Sequence, residues 1–232
     1  MDFDPGLLLS KIMAATEQLL ETAADFDDAG VRQPSLLPGW SRGHVLTHVA
    51  RNADGGTRML TWARTGLETP EYPSVRARAE EIEAGSGRPA TALTADVRAS
   101  ASRFADAYAA MPGEAWSRLL RWTSGKQRPA YRAADARLTE VLVHHVDLRA
   151  GYQPRDWPAD FVAGFLADVI AAFAGRTGVP SLYLIASDTG AGYRLGGHEG
   201  ALVVRAEQAS LLAWLLGRSK GGNDLPALPF LY

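Results

Sequence analysis

Hydrophobic residues repeat at helical spacing through the first two thirds of the chain. Asp4 and Pro5 suit the cap and the first position of a helix, and apolar residues recur after them from Leu7 to Phe26. The same periodicity predicts three further long helices, at 41–65, 91–110 and 131–150. Four long amphipathic helices are typical of an up-and-down bundle. We therefore predict a four-helix bundle over residues 1–153.

The second of these helices has the clearest end signals. Ser41 is a favourable N-cap residue, and Trp40 and Val45 occupy the two positions of a hydrophobic staple. Gly66 follows Thr65 and suits a left-handed C-terminal stop. The charged stretch 67–90 that comes next is long for a loop in a compact domain, so we expect it to be functional or partly helical.

The pattern changes after residue 153. One helix fits 159–175, and the segments SLYLIAS, GYRLGG and GALVVRA have the character of short strands separated by turns. The segment EQASLLAWLLGR predicts a closing helix, and the tail from Gly221 predicts an extended strap. We expect a small α+β domain over 154–232, so that the chain as a whole is mainly α with an α+β part.

Composition narrows the function classes. Hydrophobic residues make up 47% of the chain and charged residues 22%, with a net charge of −2. This balance is ordinary for a globular protein and gives no electrostatic support for binding nucleic acid or anionic membranes. The absence of cysteine excludes disulfides, thiolate ligands and a cysteine nucleophile. With neither a signal-peptide pattern nor a long apolar run, we expect a cytoplasmic protein. As a separate expectation, we take it to be a monomer.

Two of the predicted helices carry residues that are suited to bind a metal. His48 lies inside the apolar stripe of the second helix, and Glu140 and His144 are spaced i, i+4 on the fourth. Two imidazoles and one carboxylate suit Zn²⁺, and also Fe²⁺, Mn²⁺ or Ni²⁺. Three protein ligands leave positions open, as in catalytic sites. Asn52 and Asp147 are candidates to orient the imidazoles.

The same histidines and the Glu140–His144 pair can also be ordinary structural residues that bind no metal. A histidine in an apolar helix stripe is often a hydrogen-bonded core residue, and Glu-x-x-x-His pairs are common on helices. His145 lies 140° around the helix from Glu140, so we interpret it as a packing residue. His44 is either an orienting group or a residue of the helix flank. We expect His198 in an exposed turn.

Longer strings carry a resemblance to a known family. LPGWSRGHVLTHVARNADG and TEVLVHHVDLRAGY resemble the mycothiol-dependent maleylpyruvate isomerases, which belong to the wider DinB-like metal-binding bundles. The resemblance extends to TWARTGLETPEYPSVRARAEEIEAGS and to LLAWLLGRSKGG, and it covers nearly the whole chain. It implies a DinB-like four-helix bundle followed by a small α+β domain.

The resemblance also implies a site. The family's metal, usually taken as zinc, is held by residues that match His48, Glu140 and His144. Its substrate-binding or catalytic arginines match Arg78 and Arg218. Without the resemblance, Arg78 can equally be an ordinary charged residue on the surface. Arg218 can be a cation that is favoured at a helix C-terminus. The implied partners are a dicarboxylate substrate and the low-molecular-weight thiol mycothiol.

The implied reaction is the isomerisation of maleylpyruvate to fumarylpyruvate, in aromatic degradation of the gentisate type. In our hypothesis a metal-held thiolate adds to the cis double bond, the resulting single bond rotates, and elimination gives the trans isomer. Arg78 and Arg218 would bind the carboxylates of the substrate. Two alternatives remain: a mycothiol S-transferase that conjugates electrophiles, and a metal-binding module without catalytic activity.

Overall fold

The computed structural model describes residues 3–197, 200–221 and 225–229. The backbone forms two compact units, Met1–Ala150 and Gly151–Tyr232. His198, for which an exposed turn was predicted, lies outside the described residues. None of the helices in the described ranges is both long enough and apolar enough to cross a membrane.

The N-terminal unit is a helical bundle with one small hairpin. Its elements are α1 (Pro5–Ala24), α2 (Asp28–Arg32), α3 (Arg42–Thr65), α4 (Val75–Ser86), α5 (Ala90–Ala109), β1 (Leu119–Arg121), β2 (Gln127–Pro129) and α6 (Tyr131–Asp147). Helices α1 and α3 each pack against both α5 and α6, which closes the four-helix arrangement. Helix α4 packs on the outside of α3. The predicted bundle is confirmed.

Local signals account for the helix ends that were predicted best. The Ser41 side chain accepts a hydrogen bond from the backbone N–H of His44, and Gly66 ends α3 with a left-handed φ of 79°. The fourth bundle helix ends at Asp147 rather than at 150, and Arg149 has a φ of 52°. The long stretch 67–90 contains a regular helix, α4, capped by Ser74. The short α2 and the β1–β2 hairpin were not predicted.

Two glycines on α3 permit close approaches between helices. A Cβ at Gly43 would lie 2.2 Å from the carbonyl oxygen of Ser86, at the end of α4. A Cβ at Gly56 would lie 2.7 Å from a ring carbon of Phe104 on α5. Glycine at these positions lets α4 and α5 pack directly against the backbone of α3.

The C-terminal unit combines two helices with a three-stranded sheet. Its elements are α7 (Ala159–Ala174), β3 (Leu182–Ala186), β4 (Gly192–Leu195), β5 (Leu202–Ala206) and α8 (Gln208–Leu215). The central strand β3 pairs antiparallel with β4 and parallel with β5, so that Leu184 lies opposite Tyr193 and Val204. Side chains of β3 alternate between buried and half-buried positions. The predicted α+β character of this region is confirmed.

Candidate metal centre

Three predicted residues converge between α3 and α6. Nε2 of His48 lies 2.7 Å from Oε2 of Glu140, and Nε2 of His144 lies 3.2 Å from the same oxygen. The two imidazole rings are perpendicular, with their centroids 4.5 Å apart. One potential ligand atom from each residue lies within 4.8 Å of the other two. Two imidazole nitrogens and a carboxylate oxygen that converge in this way fit a divalent cation.

Burial differs across this cluster of His48, Glu140 and His144. Only 2% of the surface of His48 and 9% of that of His144 is exposed. The side chain of Glu140 retains 31% exposure, so the cluster is open on the side of its carboxylate. A buried pair of imidazoles with one accessible edge is the arrangement that a catalytic metal with exchangeable positions requires.

Asp147 orients one of the imidazoles, as predicted. Its fully buried carboxylate lies 2.8 Å from Nδ1 of His144. The contact assigns a proton to Nδ1 and leaves Nε2 facing Glu140. Asp147 ends α6, and its carbonyl oxygen accepts a hydrogen bond from the backbone N–H of Leu36. The backbone of Asp147 is therefore held by Leu36, and its carboxylate contacts His144.

Arg78 contacts the cluster from α4. Its Nη2 lies 3.1 Å from Nδ1 of His48, and its guanidinium lies over the ring of Tyr72. The neighbouring Arg76 is exposed and pairs with Glu80 on the same helix. The structure thus distinguishes two arginines that the sequence presents side by side, and it brings Arg78 to the predicted site.

The donor at Arg78 determines which nitrogen of His48 carries the proton. A guanidinium has only donors, so Nδ1 of His48 must accept its hydrogen bond. Nε2 then carries the proton of the neutral ring and donates to Glu140. The ring of Trp40 packs near this imidazole, with the two ring centroids 5.7 Å apart in an edge-on arrangement.

The surroundings lower the pKa values of His48 and Glu140 and raise the pKa of His144. Burial, followed by the charge of His144, lowers the pKa of His48 to about 4. Burial also disfavours the protonated form of His144, but its hydrogen bonds to Asp147 and Glu140 outweigh this and raise its pKa to about 9. Burial of Glu140 is outweighed by the two histidines, which hold its pKa well below the usual value. Without a metal, the cluster at neutral pH is a carboxylate between a neutral His48 and a charged His144.

Three other candidates lie outside the cluster. His44 belongs to the cap of α3: its Nδ1 accepts from the backbone N–H of Ser41, and its ring stacks on Trp40. His145 turns toward α1, where its Nε2 lies 2.7 Å from Oγ1 of Thr22. Asn52 accepts a hydrogen bond from Arg137, not from an imidazole, within the described residues.

Arg137 is a functional candidate that the sequence interpretation did not identify. Its guanidinium is fully buried in the bundle, one helical turn before Glu140, and donates from Nη1 to the carbonyl oxygen of Val49 at 2.8 Å. The available signal was its position on the inward face of α6, since an arginine there has to be accommodated in the core.

Arg218 lies in the C-terminal unit, directly after α8. It is half-buried, and its Nη1 donates to the carbonyl oxygen of Leu216 at 2.7 Å. This is the contact expected of a cation at a helix C-terminus. A role of Arg218 toward a substrate stays a prediction.

Comparisons with known proteins agree on one family. The mycothiol maleylpyruvate isomerase N-terminal domain matches residues 12–149, and the C-terminal domain of that family matches residues 156–228. A crystal structure of the mycothiol-dependent maleylpyruvate isomerase superposes with a TM-score of 0.93 at 28% identity, covering 99% of this chain and 98% of that one.

The crystal structure of a variant of that isomerase, with one histidine replaced by alanine, superposes equally well, again at 28% identity and a TM-score of 0.93 over 99% of this chain and 98% of that one. No curated protein sequence matches the chain. The two domain matches span most of the chain in the order that the family has. The chain belongs to the mycothiol maleylpyruvate isomerase family.

Proposed function

We propose that this protein isomerises maleylpyruvate to fumarylpyruvate with mycothiol as the thiol cofactor. The observation that carries the proposal is the convergence of His48, Glu140 and His144 in a chain that matches both domains of this isomerase family. We assign these three residues as ligands of one divalent metal, and zinc fits their chemistry best among the common ions. A bound metal would keep the sulfur of the cofactor as a thiolate near neutral pH.

The protein's own groups prepare the ligand set. Asp147 holds His144 so that Nε2 faces Glu140, and Trp40 limits the rotation of His48. His144 has to release its Nε2 proton before that nitrogen can act as a ligand. Since the pKa of His144 is raised to about 9, metal uptake at neutral pH releases a proton.

Arg78 is the residue that we assign to the substrate. When Nε2 of His48 becomes a ligand, the ring proton lies on Nδ1, and two donors then face each other across the 3.1 Å contact with Arg78. The guanidinium must leave His48 in that state. It is then available at the open side of the cluster for a carboxylate, which guanidinium forks bind with two hydrogen bonds.

Arg218 is assigned a second substrate contact on the basis of the family resemblance. Replacing Arg218 by Met should lower turnover and leave the metal content unchanged. Loss of metal together with activity would instead give this arginine a structural role. Lys220, an exposed cation two residues away, provides a matched control as Lys220→Met.

The decisive experiment follows the ultraviolet absorbance of maleylpyruvate with and without mycothiol. Loss of the substrate signal should require both the thiol and the bound metal, and chelation should abolish it. His144→Gln should lose metal and activity together, whereas His145→Gln on the same helix should keep both. A parallel assay with a generic electrophile separates this function from S-transfer: conjugation without isomerisation would contradict the proposal.

A further inference from the structure

Tyr72 has a buried hydroxyl group without a hydrogen-bond partner. Only 4% of the residue is exposed, and its Oη forms no hydrogen bond within the part of the chain that the structure describes. Burial raises the pKa of Tyr72 to about 12, so the hydroxyl keeps its proton at neutral pH. A buried hydroxyl is costly to leave unpaired, and it therefore calls for a partner in some state of the protein.

The segment that carries Tyr72 is held against α3. Nε of Arg58 donates to the carbonyl oxygen of Glu71 at 2.9 Å. The carboxylate of Glu71 accepts from Oγ1 of Thr123, in the turn between β1 and β2, also at 2.9 Å. A Cβ at Gly55 would lie 3.5 Å from Cζ of Tyr72, so the ring packs directly against the backbone of α3. The hydroxyl is thus fixed in place, and a partner has to move to it.

Arg78 is the group best placed to become that partner. Its guanidinium carbon lies 5.7 Å from the centroid of the Tyr72 ring, and its charge opposes the effect of burial on the pKa of this hydroxyl. The guanidinium of Arg58 lies at the same distance from the ring, but it donates to two backbone carbonyls of the segment before α4. Nη2 of Arg78 donates instead to His48.

The hydrogen bond from Arg78 to His48 depends on the proton of the imidazole. Under the proposed function, on which this inference rests, Nε2 of His48 is a metal ligand and the ring proton lies on Nδ1. Nδ1 then no longer accepts from Arg78. The guanidinium can turn to the oxygen of Tyr72 and still remain over its ring, where the aromatic face attracts a cation.

We propose that the hydroxyl of Tyr72 accepts a hydrogen bond from Arg78 in the metal-bound protein and positions this guanidinium for the carboxylate of the substrate. Tyr72 is a positioning residue, since it acts through Arg78. The unpaired hydroxyl of the metal-free protein and the unpaired guanidinium of the metal-bound protein then satisfy each other.

Competition between the full chain and a chelator of known affinity for Zn²⁺ tests the proposal. Tyr72→Phe keeps the ring and removes the acceptor, so Zn²⁺ should bind about 3- to 10-fold more weakly. The metal-free variant should keep the stability of the wild type in urea, because the hydroxyl has no partner in that state within the described chain. A Zn²⁺ affinity equal to that of the wild type would overturn the proposal.

Tyr108 provides the matched control, as a second buried tyrosine of the bundle. Its hydroxyl donates to the carbonyl oxygen of Pro5 at 2.9 Å, so this hydrogen bond is already formed without a metal. Tyr108→Phe should lower the stability in urea and leave the Zn²⁺ affinity unchanged, the reverse of Tyr72→Phe. An equal loss of stability in metal-free Tyr72→Phe would make that hydroxyl a structural group and overturn the proposal.

Combination with Arg78→Met shows whether Tyr72 acts through Arg78. In that background Tyr72→Phe should have no further effect on the Zn²⁺ affinity, because the donor is gone. The same loss of affinity with and without Arg78 would overturn the proposal.

Kinetics at saturating Zn²⁺ test the positioning role. Tyr72→Phe should raise KM for maleylpyruvate about 3- to 10-fold and leave kcat nearly unchanged, as expected when a binding contact is lost. An unchanged KM would overturn this role. A wild type that binds Zn²⁺ and does not isomerise maleylpyruvate would contradict the proposed function, whereas wild-type Zn²⁺ affinity in Tyr72→Phe would contradict only the role of Tyr72.

Discussion

Nη2 of Arg78 and Nδ1 of His48 meet at 3.1 Å, although 30 residues separate them in the sequence. The contact joins α4 to the cluster of His48, Glu140 and His144 and fixes the proton of His48 on the nitrogen that faces Glu140. A histidine with this tautomer is not yet arranged as a metal ligand. Under the proposed ligand assignment, metal uptake by His48 would therefore be coupled to release of the Arg78 side chain.

Replacing Arg78 tests its assignment to the substrate. Arg78→Met should leave the metal content unchanged and lower kcat/KM for maleylpyruvate roughly 10- to 100-fold, the effect of losing a charge-assisted contact to the substrate. Arg76→Met removes a neighbouring guanidinium that is exposed and paired only along its own helix, and it should behave as the wild type does. Equal losses in both variants would show that the effect comes from general charge and not from the site.

Asp147 should control the affinity for the metal. Asp147→Asn removes the carboxylate that holds Nδ1 of His144, and the metal affinity should fall about 10- to 100-fold. Competition with a chelator of known affinity measures the change. Glu83→Gln alters the carboxylate beside His44, outside the cluster, and should leave the affinity unchanged. An unaltered affinity in Asp147→Asn would remove the orienting role from this residue.

The raised pKa of His144 should make the stability of the metal-free protein depend on pH. Its pKa is about 9 in the folded state and 6.5 in the reference state, so the folded chain binds the proton more tightly. The stabilisation is fully present below pH 6.5 and is lost as the pH rises through about 9. The difference in unfolding free energy between the wild type and His144→Gln should shrink over that interval.

Urea denaturation of the chelated proteins at pH 6 and pH 9 measures this difference. His145→Gln serves as the control, because it replaces the neighbouring histidine of the same helix, which lies outside the cluster with its Nε2 2.7 Å from Oγ1 of Thr22. A gap between the wild type and His144→Gln that widens toward pH 9 would contradict the assignment of a charged His144 in the metal-free cluster.

The absence of a side chain at Gly56 should be required for the close packing of α3 against α5. Gly56→Ala places a methyl group against the ring of Phe104, and overpacking of this kind costs about 1–3 kcal/mol. Gly164 is an exposed glycine within α7, and beyond its chain neighbours and the local helix backbone an added Cβ would meet no heavy atom of the described residues within 4 Å. Gly164→Ala should therefore stabilise its helix by about 0.5–1 kcal/mol. Thermal denaturation of both variants checks the opposite signs.

Several parts of the fold follow from short stretches of sequence. The cap at Ser41 and the stop at Gly66 are encoded by residues within one helical turn of the ends of α3, and both were predictable. Helical periodicity also placed the four bundle helices, because one face of each must be apolar. The β1–β2 hairpin has strands of three residues, too short for a periodic signal, and its formation depends on the surrounding helices.

The candidate metal centre likewise has a part that follows from local sequence and a part that depends on helix packing. Glu140 and His144 are neighbours because a helix brings i and i+4 together, and their pairing could be inferred from spacing. His48 reaches them across the interface between α3 and α6, and only the packing of those helices determines its 2.7 Å contact with Glu140.

The arginines show the limit of local reasoning most clearly. In the sequence Arg76 and Arg78 look alike, yet one is exposed and the other contacts His48. Arg137 was not singled out, although it is buried with two unpaired donor atoms. The sequence by itself determined the helices and the i, i+4 ligand pair, because these depend on neighbouring residues. Only the tertiary structure decided which charges meet the cluster and which are buried, because burial and pairing depend on residues far apart in the chain.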